Sequence, residues 1–203
     1  MSRLATSFVL AYHGCEDGVA RRAVAGEIDI LQSERAFDWL GPGAYFWEAD
    51  PQRALEWAQA KVSRGQYRTA AVIGAVIDLG HCLDLSNREN LDLVRLAHRA
   101  FKAEQQAAGF TLPQNRSAKG QPDQDRVLRF LDCAVIRHLH AAIDRIPPER
   151  RIVQPFDTVR GMFTEGKRLY PGCGYREKTH VQIAVRNAEC IKGIFYPRNF
   201  DLG

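Results

Sequence analysis

Residues suited to chemistry stand in three places. The first is His13-Gly14, where a titratable ring precedes a residue with no Cβ, so the backbone there can approach a ligand closely. The second is Gly41-Pro42-Gly43-Ala44-Tyr45-Phe46-Trp47-Glu48, a glycine-bracketed turn that delivers three aromatics and a carboxylate. Such a group can line a flat pocket for a ring-shaped ligand with Glu48 at its edge; a plain buried strand is the competing reading. The third is Thr164 to Lys178, rich in glycine and charge (Glu165, Lys167, Arg168, Arg176, Glu177). A loop that long between short strands is usually a working one. Its cations suit phosphates, and Tyr170 and Tyr175 can stack on a base or on an arginine.

The elements that must hold these groups follow from patterning. Phe8 to Tyr12 reads as a buried strand ending at His13-Gly14. Val19 to Ala25 suits a short helix, Ile28 to Ile30 a short strand, and Ser33 opens the loop towards the aromatic turn. After Trp47, Asp50 stands as N-cap with Pro51 at the first helical position. Ala54, Leu55, Trp57 and Ala58 then recur at helical spacing. Ala70 to Leu79 is a continuous β-branched run, as in a strand covered on both faces. Ser86 and Glu89 form a capping box for a helix reaching to about Gly109. Thr111 to Asp125 is punctuated and polar, an exposed loop. A second long helix follows over 126–143. His138 and His140, two apart on it, point to different faces; a solvated helix end is expected there, not a metal pair. Phe156 to Phe163, Thr179 to Arg186 and Cys190 to Tyr196 are strand-like.

Composition sets the frame. The chain has 203 residues, a formal charge of +4 and 45% hydrophobic residues, the profile of one globular domain able to bury a core without staples. The charge permits an anionic partner without demanding one. Five scattered cysteines with no Cys-x-x-Cys pair speak against a disulfide framework and a zinc site, and for a reduced, cytoplasmic setting. The N-terminal apolar run is too short for a signal peptide, and no window is long enough to span a bilayer. No glycine-rich nucleotide loop opens a helix after the first strand, which makes a poor case for a dinucleotide fold of the doubly wound kind. The expected fold is α+β, a mostly antiparallel split sheet with flanking helices.

Three of these segments together carry a resemblance. His13-Gly14, Gly41-x-Gly43-Ala44-Tyr45-Phe46 and the strand Gln182-Ile183-Ala184-Val185 resemble the three-part His…Tyr…Glu pattern of ADP-ribosyltransferases, the branch of diphtheria toxin and the poly(ADP-ribose) polymerases. The whole chain is similar to short bacterial proteins of that type, in which Asp-Trp-Leu-Gly-x-Gly-x-Tyr-Phe-Trp-Glu and Glu-Lys-Thr-His-Val-Gln-Ile recur in order. The resemblance implies a single ADP-ribosyltransferase-like domain over 1–203 with a helical insertion at about 86–146. It further implies NAD as substrate, no metal, and transfer of ADP-ribose to a macromolecular acceptor, nucleic acid slightly ahead of protein. Many such proteins look like toxin or phage-defence modules, which adds a cognate antitoxin to the expected partners.

In that pattern His13 would bond the adenosine ribose and the Gly14 backbone the nicotinamide amide. Tyr45 would stack on the nicotinamide ring with Trp57 as a second wall, Ser33 would reach the same pocket, and Lys167, Arg168, Tyr170, Tyr175 and Arg176 would form the target-recognition loop. One position departs from the pattern: Gln182 stands where the family has its catalytic glutamate. Cleavage at the nicotinamide–ribose bond builds positive charge on the ribose, which glutamine does not offset. Glu177 is the leading substitute and Glu48 the next. Two readings from other classes stay open: a NAD glycohydrolase without acceptor, and a non-catalytic module that binds NAD, ADP-ribose or nucleic acid.

Overall fold

The computed structural model describes residues 8–118 and 125–198. In chain order the elements are β1 (Phe8–Glu16), α1 (Asp17–Val24), β2 (Ala44–Glu48), α2 (Pro51–Ser63), β3 (Ala70–Asp78), β4 (Cys82–Asp84), α3 (Arg88–Ala107), α4 (Phe130–Asp144), β5 (Thr158–Phe163), β6 (His180–Val185) and β7 (Ile191–Phe195). The fold is α+β. The seven strands form one sheet in the order β4-β5-β6-β2-β1-β3-β7. All neighbours pair antiparallel except β4 and β5, which are parallel. No helix among the described residues is long and apolar enough to cross a membrane.

The sheet is split. β1 pairs with β3 along its whole length, from Phe8↔Asp78 to Glu16↔Ala70. Towards β2 it holds register only at Ala11↔Glu48 and Tyr12↔Trp47. Beyond those two pairs the strands part, leaving a β4-β5-β6-β2 half and a β1-β3-β7 half. β1 does not end at His13-Gly14, as the glycine suggests, but runs two residues further, to Glu16, so Gly14 lies within the strand.

Period-2 alternation then sorts the side chains. One face carries Ala11, Cys15, Phe46, Ile73, Ile77, Ile183 and Val185, packed with Ala20 and Ala23 of α1. On the other face, Tyr45, Val159 and Ala184 pack with Leu40 and with Val135, Ile136 and Leu139 of α4. Beside them Trp47 and Val72 pack with Ala54 and Leu55 of α2. α2 begins as its sequence predicts, with the Asp50 carboxylate accepting from the Arg53 N–H at 3.0 Å and Pro51 at N1, a cap that contributes ~1 kcal/mol.

Local chemistry moves other boundaries. Asn87, not Ser86, caps α3: its side chain accepts from the Glu89 N–H at 2.8 Å, while the Ser86 hydroxyl bonds Asp84. α4 starts four residues later than its apolar pattern suggests. Its first turn is capped from a distance by Asn115, whose Oδ1 accepts from the N–H of Leu131 (2.9 Å) and of Asp132 (3.3 Å). Residues 28–30 form no strand. His138 and His140 do point apart, but neither is solvated: His138 lies against Phe101 of α3, and His140 is buried edge-on to Phe156.

α2 comes close to β1 at Gly14. A Cβ placed on Gly14 would stand 2.0 Å from the carbonyl oxygen of Ala54. Backbone, not a flexible side chain, fills that space, so any larger residue must lift α2 off the sheet. Gly14→Ala is therefore expected to cost about 2–3 kcal/mol, lowering the melting temperature by about 5–10 °C in a chain of this size. A thermal melt followed by circular dichroism checks this; an unchanged melt would mean that α2 does not seat there.

Candidate functional site

Along the split, ladder alternation decides which backbone groups face the gap. The Ala49 N–H donates to the Leu10 carbonyl at 3.0 Å, and Tyr12 pairs with Trp47. By the same two-residue step Gly14 would meet Tyr45, and there the register stops. What crosses instead is a side chain: His13 Nδ1 lies 2.7 Å from the Tyr45 carbonyl oxygen. A carbonyl only accepts, so Nδ1 carries the proton and Nε2 presents a lone pair. Burial lowers the His13 pKa against the opposing pull of that carbonyl, which keeps the ring neutral. The His13 ring thus meets the Tyr45 backbone, while Ser33 makes reciprocal backbone bonds to Gly43 at 2.8 and 3.1 Å.

The Tyr45 and Trp57 rings do not make the expected pair of walls. His13 shares its face with Phe46, 5.5 Å away between ring centroids, while Tyr45 points to the α4 side. The Tyr45 hydroxyl accepts from the Leu40 N–H (3.0 Å) and donates to the Gly41 carbonyl (2.8 Å), and burial raises its pKa. It ties down the tight turn that precedes its own strand. Gly41 is required in that turn by φ +79°, and a Cβ there would also strike Ile136 at 2.7 Å. Trp57 belongs to another cluster, against Trp47 and Tyr67 with the Lys61 ammonium 5.0 Å from its ring centre. The Ser33 hydroxyl is held by Asp38 at 2.5 Å, so it too serves the turn.

The two carboxylates proposed to replace the family's glutamate are placed elsewhere. Glu48 is bidentate to Arg160, at 2.6 and 2.9 Å, and Arg160 also reaches Asp84 at 3.0 Å. This half-buried triad neutralises Glu48. Glu177 is exposed, in the segment before β6, with its N–H bonded to the Lys167 carbonyl. That segment is an ordered hairpin rather than an open loop: Arg168 bridges Arg176, Arg176 donates to the Gly166 carbonyl at 2.8 Å and stands 3.5 Å from Asp125, and Arg53 pairs with Glu165 at 3.0 Å. Arg168 is turned inward onto the Cys173 carbonyl. Lys167, Tyr170 and Tyr175 remain exposed at the surface of the hairpin.

Gln182 occupies a different setting, one the sequence does not disclose. The Trp39 indole N–H donates to its Oε1 at 2.7 Å, which turns its NH₂ away as a free donor. Trp47 is its partner on β2 and Gly161 its partner on β5, with Trp39 seated over Gly161. His180 and Phe163 stack beside it at 5.7 Å, and the Arg129 guanidinium lies 4.8 Å from the Phe163 ring centre. Around this group the N–H of Trp47 and the Nε–H of Arg53 and Arg129 are buried without an acceptor. Buried donors of that kind are costly unless something accepts from them. The remaining N–H groups of the two guanidinia are engaged, Arg53 with Glu56 and Glu165 and Arg129 with Asp132 and the Asp125 carbonyl. Among the described residues no group of His, Cys, Asp and Glu is arranged to hold a metal.

No protein-family model, curated protein or solved structure matches the chain. Its site has to be read from its own geometry.

Three histidines here share one electrostatic condition. Burial lowers the pKa of His13, His180 and His140, the last to about 3 with a contribution from Arg186. His140 has no partner at either ring nitrogen. The ordinary value is 6.5, so above that pH folded and unfolded chains are both neutral and stability is full. Below it the unfolded chain takes up protons that the folded chain refuses, and stability falls as pH drops from about 6.5 towards 3. His140 alone is expected to remove about 2–3 kcal/mol by pH 4.5. Urea melts at pH 7.5 and 4.5 check this: His140→Leu should narrow the gap between the two, and an undiminished gap would overturn the assignment.

Proposed function

We propose that the chain is a NAD-dependent mono-ADP-ribosyltransferase acting on a macromolecular acceptor. The observation that carries the reading is the His13 contact across the split. With Nδ1 fixed on the Tyr45 carbonyl, the neutral ring offers Nε2 to a hydroxyl, as on a ribose, at the point where β1 loses its partner strand. Support also comes from the α+β split sheet itself. Gln182 stands on β6 beside β2, at the third place of the His…Tyr…Glu pattern that the sequence resembles, on the face of Tyr45 and Trp47 and opposite to that of His13 and Phe46.

In the reaction the bond between the nicotinamide nitrogen and ribose C1′ breaks and nicotinamide leaves with the electron pair. An oxygen or nitrogen of the acceptor forms the new bond to C1′, and its proton passes to solvent. Gln182 would hold the ribose by donating from its NH₂, with its oxygen anchored on Trp39. It supplies no charge to the developing cation. Tyr45 acts as a positioning residue for the turn, not as a stacking surface. A cytoplasmic toxin or defence role, with a cognate antitoxin, belongs to the same reading.

One observation favours a second reading, a module that binds the dinucleotide without cleaving it: the nearest strand carboxylate, Glu48, is already neutralised by Arg160. Incubation with NAD labelled on the adenine side, with and without nucleic acid or lysate, separates the two. Label on a macromolecule supports the transferase, free ADP-ribose a glycohydrolase, and intact NAD the binder. His13→Ala is expected to lower NAD turnover at least tenfold, and Gln182→Glu to raise it by restoring a carboxylate. Glu177→Gln should leave turnover unchanged. Full turnover by His13→Ala would end the proposal.

A further inference from the structure

A groove of about 680 Å³ runs over the helical region of the chain, away from the split. Its walls come from the last turns of α3, the 110–116 segment that follows, and the approach to α4. Lys102, Arg116 and Arg126 line it, and no Asp or Glu does. Among the described residues none of the three forms an ion pair, while the neighbouring carboxylate of Asp132 is engaged by Asn115 and Arg129. Like charges gathered without a counter-charge repel each other, so the arrangement is adapted to an anion.

Two further observations narrow the anion. Phe110 is 66% exposed at the rim, and its backbone is anchored. Gly109 turns the chain at φ +75°, and the Phe110 N–H is tied to the Gln105 carbonyl at 2.8 Å. An aromatic ring exposed to water on an anchored backbone is a stacking platform for a flat partner. Arg116 is held by its own flat contact, its guanidinium 4.7 Å from the Phe130 ring centre. Arg126 adopts φ +42°, a conformation that a side-chain-bearing residue takes at a cost of ~1 kcal/mol, and strain of that kind gathers at binding sites. Phosphates for the cations and a base for the ring describe one class of ligand.

We propose that this groove docks a single-stranded nucleic acid, with phosphates on Lys102, Arg116 and Arg126 and a base on Phe110. The inference deepens the transferase reading by naming the acceptor and its seat, and rests on that reading only for the word acceptor. The geometry joins the two places: the short stretch that puts Arg126 in the groove puts Arg129 over Phe163, beside His180 and the Gln182 strand. An acidic peptide would satisfy the cations but has nothing flat to offer Phe110.

The test is fluorescence anisotropy of labelled twelve-nucleotide oligouridylate and oligothymidylate with the whole chain and no NAD present, so that it reads binding independently of cleavage. The wild type is expected to bind, with a slope of about −2 in log affinity against log salt, as three single-strand phosphate contacts give. Phe110→Ala should weaken binding at least fivefold and Lys102→Glu at least tenfold; both side chains are exposed, and melts confirm that the variants fold. Absence of wild-type binding, unchanged binding in both variants, or loss on Tyr170→Ala and Tyr175→Ala instead would overturn the assignment. So would tighter binding of polyglutamate than of either oligonucleotide. Failure here with NAD still cleaved would leave the transferase reading standing.

Discussion

Everything in this molecule depends on how β1 and β2 are joined where their backbones no longer pair. A buried carbonyl needs a donor, and at Tyr45 the ladder does not provide one. The His13 ring does, at 2.7 Å. One side chain thus closes the polar account of the split while the strands stay apart. Gly14 lets α2 rest on the same strand, backbone against Cα. The tyrosine hydroxyl pins the turn that launches β2. These three contacts fix the width of the gap, and each requires a residue type that the sequence supplies next to the others.

Much of this was legible in the sequence, because local rules applied locally. The Asp50-Pro51 start of α2, the apolar run of β3 and the last three strands lie where pattern puts them. Most of the failures are cases where a distant partner overrode a local signal. Asn115 caps α4 across a long gap in sequence, so no capping residue stands beside the helix start. Ser86 looked like a cap, but the Asp84 carboxylate took its hydroxyl. Glu48 looked like a free acid because Arg160 lies more than a hundred residues away. The two histidines on α4 read as polar and proved buried, since the surfaces that cover them belong to other elements.

The site shows the same limit from another side. Residue types named His13, Gly14, Tyr45 and Gln182, but only alternation on a known register says which faces they occupy. The His13 ring meets the backbone of Tyr45, while the two side chains lie on opposite faces. The donor cluster of Trp47, Arg53 and Arg129 has no sequence signature at all: tryptophan on a strand and arginine on a helix are ordinary until their N–H groups are found buried together. Its shared character, donors without acceptors, is a property of assembly.

The order of strands carries one last consequence. β6 lies between β5 and β2, so it closes the half-sheet to which β2 belongs. Until residues 180–185 have emerged during synthesis, β2 lacks one neighbour and β5 lacks another. The pairs Tyr45↔Ala184 and Trp47↔Gln182 join residues about two thirds of the chain apart, which makes their closure a late event in folding. A nascent chain therefore presents β1 and β2 long before β6 completes the half-sheet to which β2 belongs.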